Sequence, residues 1–279
     1  LGALGTPGGA AGFKIVGETA NDFAGFSVSS AGDVNGDGFD DLIVGAPRAN
    51  GTGAAYVVFG ADTISGPIGL DTLGTPGGAA GFKIVGENSN DFAGGGVSSA
   101  GDVNDDGFDD LIIGASGAGG SAGAAYVVFG ADTMPGTIDL GALGTPGGAA
   151  GFKIVGENGN DSAGISVSSA GDVNNDGFDD LIIGASGAGG IPGAPSSDGA
   201  AYVVFGSADA FDTINLDDIA AGMGGFKIVG ENNLGATGTS VSAAGDVNND
   251  GFDDVMVGAP RSDGFAGAAY IIYGDDWVV

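Results

Sequence analysis

A chain of 279 residues with neither cysteine nor histidine has no disulfide, no thiolate nucleophile, no Cys/His zinc site and no imidazole general base. Thirty-six acidic residues face six basic ones, and the formal charge of −30 repels nucleic acid and anionic membrane surfaces, both of which carry phosphates. The 43% of hydrophobic residues argues against the disorder so acidic a chain would otherwise predict, and no apolar run nears the roughly 20 residues that span a bilayer.

The chain opens at Leu1, without a Met or a signal peptide, and is expected to be a mature or excised segment of something longer. Residues 1–17, LGALGTPGGAAGFKIVG, reappear letter for letter at 140–156. The first predicted strand is FKIVGE (13–18). SVSSAGDV follows at 27–34, DDLIVGA at 40–46 and AAYVVFG at 54–60. Each is short, rich in Val, Ile, Phe, Tyr or Ser and bounded by Gly, Asn or Asp, and 62 glycines weigh against helices. The Gly/Pro-rich stretch 60–80 reads as a surface linker.

The same four segments then return three times. The acidic loops begin at Asp33, Asp102, Asp172 and Asp246, giving periods of 69, 70 and 74 residues, a length that suits a unit of four strands. The runs LIVGA and YVVF lack clean alternation, as strands covered on both faces do. The sequence thus predicts an all-β fold: a β-propeller of four blades, each of four antiparallel strands, in one domain over residues 1–279. SVSSAGDV, with nothing larger than Val, is expected innermost, where strands converge. The strand at 12–18 is orphaned at the start and the repeat at 239–274 lacks its last strand, so the N-terminal strand is expected to join the C-terminal blade and close the ring.

Seventeen of the 36 acids sit in the four loops. In the first, Asp33, Asn35, Asp37, Phe39 and Asp41 occupy positions 1, 3, 5, 7 and 9, with Gly38 at the turn. The counterparts are Asp102, Asn104, Asp106, Phe108 and Asp110; Asp172, Asn174, Asp176, Phe178 and Asp180; and Asp246, Asn248, Asp250, Phe252 and Asp254. Side-chain oxygens at 1, 3, 5 and 9 with a backbone carbonyl from the Phe are the hard-oxygen supply that calcium takes, and zinc would need N or S ligands. An EF-hand is excluded, because position 12 is Val44, Ile113, Ile183 or Val257 in place of Glu. Four calcium ions, one per blade, would take the charge from −30 to −22. The position-8 acids Asp40, Asp109, Asp179 and Asp253 are expected to orient water or face solvent.

The block DVNGDGFDDLIVGAP, with GFSVSSAG before it and GAAYVVFG after it, resembles the FG-GAP repeat of integrin alpha-subunit propellers over all four repeats. The resemblance implies a propeller with calcium in a hairpin loop of each blade, an extracellular or cell-surface setting and adhesive or scaffolding roles. The family's Phe-Gly pair reads Ala24-Gly25, Ala93-Gly94, Ala163-Gly164 and Thr237-Gly238 here, and integrins carry seven repeats where this chain has four. The near-identity of the repeats and the Gly/Ala/Asp-rich style look like large bacterial secreted proteins.

Glu18, Glu87, Glu157 and Glu231 end the FKIVGE strands and are expected to pair with a Lys of that strand type, Lys14, Lys83, Lys153 or Lys227; a second cation site beside the Asn-Asp turns is the alternative. Tyr56, Tyr126, Tyr202 and Tyr270 read as packing residues. The functional expectation is a non-enzymatic, calcium-stiffened adhesion or structural module of a secreted or cell-surface protein. Its partner is an extracellular protein or glycan, neighbouring domains of a larger chain or a second copy, with no nucleic acid and no membrane insertion. A lectin-like propeller is the alternative, and a hydrolase at the ring axis ranks below both, since only 187–198 and Leu234-Gly235 break the symmetry.

Overall fold

A computed structural model describes residues 12–64, 66–75, 80–145, 150–189, 198–208, 213–231 and 235–276. Trp277, Leu234 and most of the 187–198 insertion lie outside the described residues. The strands are β1 (Ile15–Val16), β2 (Val28–Gly32), β3 (Asp41–Ala46), β4 (Ala54–Val58), β5 (Ile68–Gly69), β6 (Gly81–Val85) and β7 (Gly96–Gly101). They continue as β8 (Asp110–Ala115), β9 (Ala124–Val128), β10 (Thr137–Asp139), β11 (Gly151–Val155), β12 (Ser166–Gly171) and β13 (Asp180–Ala185). The last are β14 (Ala200–Val204), β15 (Ile214–Asn215), β16 (Gly225–Val229), β17 (Ser240–Gly245), β18 (Asp254–Ala259) and β19 (Ala268–Ile272). Helix is limited to single turns such as Leu216–Ala220.

The repeats become four antiparallel sheets. Their orders are β2-β3-β4-β6, β7-β8-β9-β11, β12-β13-β14-β16 and β17-β18-β19. The chain therefore runs outward through each sheet, and the small-residue strand is innermost, packing against its counterpart in the neighbouring sheet. DLIIGA and AAYVV are buried at every residue in the second and third sheets, which explains their unbroken apolar character. The cores lie between consecutive sheets: Ile43, Val57 and Ile84 of the first pack with Leu111, Ile113 and Tyr126 of the second.

Glycine is required where backbones touch. A Cβ on Gly114 would stand 2.0 Å from the carbonyl oxygen of Gly164 in the next sheet, and one on Gly184 would stand 2.0 Å from that of Gly238. The Gly of the Phe-Gly pair is thus the point of contact between blades; Ala93 and Ala163, where the aromatic is lost, are buried, and Phe23 and Phe92, one residue earlier, are exposed.

Two expectations need correction. First, the linkers hold more than loops, because β10 and β15 add a fifth, parallel strand outside β6 and β11. Buried Ile138 and Leu140 are what draw that segment onto the blade. Second, β1 does not join β19. It pairs in parallel with β5, Ile15 opposite Ile68, in the slot that β6 offers β10. Glu18 at its end is bonded to Tyr56 and Lys83 of the first sheet, so the N-terminal strand is held there, and among the described residues no strand pairs with the outer edge of β19.

Candidate metal centre

Each acidic loop begins at a β-bulge. The register between β2 and β3 shifts between Ser30 and Gly32, and Gly32 takes φ +72° to turn the chain out of the sheet. The loop then closes on its own acids. Asp33 Oδ1 accepts the Asp37 N–H at 3.0 Å and its Oδ2 accepts the Gly38 N–H at 2.9 Å. Asn35 Oδ1 also accepts from the Asp37 N–H, and Asp37 Oδ1 accepts from the Phe39 N–H. The loops at 102, 172 and 246 repeat this frame bond for bond. Positions 1, 3 and 5 therefore converge within one tight turn.

Two residues per loop adopt φ > 0. Gly38, Gly107, Gly177 and Gly251 at position 6 do so at +88° to +98°, as the sequence implied. Position 4 does too: Gly36, Asp105, Asn175 and Asn249 lie between +55° and +70°. Sequence reasoning passed over that position, yet Gly, Asp and Asn are the residues that tolerate it.

Position 9 behaves differently from positions 1, 3 and 5. Asp41 is fully buried, and its two oxygens accept the N–H groups of Val34 at 3.1 Å and Gly60 at 2.8 Å. Asp110, Asp180 and Asp254 are held the same way. The acid ties the start of its own loop to the segment that follows the next strand, β4 in the first sheet. Among the described residues, no three acidic side chains are grouped closely enough to hold a metal ion.

Burial pushes the Asp41 carboxyl up to about 6, Asp110 to about 8 and Asp180 to about 7. The two backbone donors oppose that rise, and the nearby carboxylates at positions 5 and 1 add to it. The three ion pairs of the described residues all lie elsewhere, so no lysine or arginine salt bridge offsets the loop acids. The donor chemistry fits a hard divalent cation: oxygens only, carboxylate-rich and short of counter-charge.

At position 8 Asp40 is exposed, as expected, but the other three acids correct the sequence reading. Asp109 Oδ2 accepts the Asp33 N–H of the preceding blade at 2.8 Å, Asp179 accepts that of Asp102 at 2.9 Å and Asp253 that of Asp172 at 3.1 Å. These acids are fasteners between consecutive loops. Their carboxylates fill the space a side chain would take at Gly32, Gly101 and Gly171.

A second polar set also spans blades. Glu87 accepts hydrogen bonds from the Tyr126 hydroxyl at 2.7 Å and the Lys153 ammonium at 2.6 Å, both in the following sheet. Glu18 does so with Tyr56 and Lys83, and Glu157 with Tyr202 and Lys227. The Lys83 and Tyr56 hydrogen bonds hold Glu18 below the usual carboxylate range. Burial works against that at Glu87 and Glu157, but the Lys and Tyr bonds outweigh it. The ion pair expected from sequence is present at Glu18, Glu87 and Glu157, with the Lys supplied by the next repeat. Nearby, Asp22, Asp91 and Asp161 accept the N–H three residues back, so the Asn-Asp segments are closed turns.

The comparisons with known proteins agree with this frame. The model of the FG-GAP repeat matches residues 24–58, 93–128, 163–204 and 237–272, one match per sheet. The chain is 31% identical over 258 residues to integrin alpha pat-2 of Caenorhabditis elegans, a match covering 88% of this chain and 18% of that protein. It is 29% identical over 189 residues to integrin alpha-5 of Xenopus laevis, covering 63% of this chain and 16% of that protein. The chain thus spans under a fifth of the length of these relatives. With four matched repeats folded as four successive sheets, the chain belongs to the FG-GAP repeat family and is integrin alpha-like.

Proposed function

We propose that residues 1–279 form one calcium-binding propeller domain that serves as an adhesion or interaction module of a secreted or cell-surface protein. The observation that carries the calcium reading is the fourfold recurrence of one hydrogen-bonded turn that gathers the oxygens of positions 1, 3 and 5 with no basic partner. In the first loop Asp33, Asn35 and Asp37 would hold the ion by their side chains and Phe39 by its carbonyl. Asp41, already fixed from beneath, would add the fourth side chain if one of its oxygens turned to the ion. Bound calcium would supply the counter-charge the loop lacks and so stiffen each hairpin.

The interaction role is supported by the integrin alpha relatives and by a non-enzymatic family. The extracellular setting follows the same relatives. It also suits the affinity of extracellular calcium modules, which bind at about 0.1–1 mM. No helix among the described residues is long and apolar enough to cross a membrane.

Calorimetric titration of the chelator-treated protein tests this reading. Four calcium ions should bind per chain, and magnesium should compete poorly. A titration with no saturable heat would overturn the calcium reading and leave the loops as self-closed turns.

A further inference from the structure

Three of the acidic loops are gripped by the loop of the following blade, and the grip falls on position 1. Asp109 holds Asp33 twice: its Oδ2 accepts the Asp33 N–H at 2.8 Å, and its own N–H donates to the Asp33 carbonyl at 3.3 Å. Asp179 holds Asp102 in the same two ways, and Asp253 holds Asp172. Phe108 lays its ring over Gly36, so close that a Cβ there would stand 2.7 Å from it. Position 1 belongs to the proposed calcium set of its own loop. Position 8, which holds it, stands between two members of the next loop's set, the Phe carbonyl at 7 and the Asp at 9.

A second line joins the position-9 acids. Asp110 accepts the Gly130 N–H, the adjacent Ala131 N–H donates to the Val34 carbonyl at 3.0 Å, and the Val34 N–H donates to Asp41. Asp180 reaches Asp110 in the same way through Gly206, Ser207 and Val103. Asp254 reaches Asp180 through Gly274, Asp275 and Val173. One hydrogen-bonded line thus runs from the fourth loop to the first. The bonds between loops are not needed to close any loop, because each closes on its own acids.

We propose, on the calcium reading above, that the loops fill cooperatively, with Asp109, Asp179 and Asp253 as positioning residues for the site of the preceding blade. Engaging the Phe108 carbonyl and Asp110 fixes Asp109 between them, and Asp109 then holds Asp33 in place for the first loop. Asp33 is ordered by its neighbour in advance, so the first loop fills at lower calcium. The Asp109 carboxylate also lies against both loops as shared counter-charge, and it opposes a repulsion between ions that salt already screens beyond about 8 Å. Each loop still takes one ion, and the neighbour sets the concentration at which it does. The coupling is reciprocal, so an empty first loop weakens the second.

Calcium titration of the chelator-treated chain, followed by amide resonances, tests this. The N–H groups of Gly38, Gly107, Gly177 and Gly251 bond the position-1 acids and read the four loops separately. Asp106→Asn empties the second loop and should raise the half-saturating calcium at Gly38 about fivefold or more. Asp109→Ala cuts the link without removing a ligand. It should also raise the midpoint at Gly38, and adding Asp106→Asn to it should move Gly38 little further. Asp109→Asn keeps an oxygen for the Asp33 N–H and should restore the dependence of Gly38 on Asp106. Asp179→Ala should repeat the result one blade on, at Gly107. A Gly38 resonance that saturates at the same calcium with and without Asp106→Asn would overturn the coupling and leave the calcium reading standing. No saturable shift at any of the four glycines would overturn both.

Discussion

The third sheet and the fourth are nearly the same sequence in different company. Both carry the same loop, the same bulge and the same AAYVV or AAYII strand. Tyr202 is at 0% exposure and its hydroxyl is bonded to Glu157, while Tyr270 is partly exposed and its hydroxyl has no such partner among the described residues. The difference comes from what lies beyond the strand, since only the third sheet has a following blade against it. Within one molecule, local structure is therefore set by the repeat and burial by the neighbour, the behaviour of a nearest-neighbour array.

The largest effect should be one that ignores the difference. On the proposed calcium reading, an ion at tenfold its dissociation constant would stabilise by about 1.4 kcal/mol per site, and four such sites by about 5–6 kcal/mol. Chelation should lower the melting temperature sharply, and magnesium should not restore it. Asp176→Asn and Asp250→Asn should each remove one site from a calcium titration, because the two loops have the same internal bonds. Unequal losses would show that the loop, too, depends on its neighbour.

Core truncation should separate the two sheets. Tyr202→Ala opens a buried aromatic site and should cost about 3–5 kcal/mol in urea unfolding. Tyr270→Ala, measured in dilute solution, should cost less than about 1 kcal/mol. Equal costs would break the comparison.

Next are the glycines. Gly184→Ala forces a methyl onto the Gly238 carbonyl and should cost about 1–3 kcal/mol or more, whereas Gly258→Ala should stay within about 0.5 kcal/mol. Thermal melts of the two variants, recorded at low concentration, check this.

The smallest effect belongs to the Glu–Tyr–Lys sets. These side chains are 18–19% exposed at Glu157 and Lys227, and Glu157→Gln should cost about 0.5–1 kcal/mol at neutral pH. Because the folded carboxyl lies below its ordinary 4.5, its contribution is full above that value and is lost as pH falls through the folded value. The gap between parent and Glu157→Gln should therefore close on acidification below about 4.5.

Much of the site was legible in the sequence because its geometry is local. The side chains of Asp33, Asn35 and Asp37 accept N–H groups from within the same turn, and Gly38 marks its own φ. Position 9 was less legible. Asp41 reads as one more oxygen donor, and only the fold brings the Gly60 N–H, 19 residues on, against it. Position 8 was misread at Asp109, Asp179 and Asp253 for a stronger reason, since Asp109 serves a loop 76 residues earlier and no spacing records that.

Sequence by itself determined the repeat, the strand types, the inner placement of the small-residue strand and the left-handed glycine at position 6, all of which follow from side-chain size and backbone freedom within a few residues. Tertiary structure alone decided which blade each Asp, Glu and Lys serves, where the linker becomes a fifth strand and on which edge β1 lies. Those outcomes depend on surfaces that meet across about seventy residues of chain, where a hydrogen bond or a buried methyl is set by the neighbouring blade and not by adjacent letters.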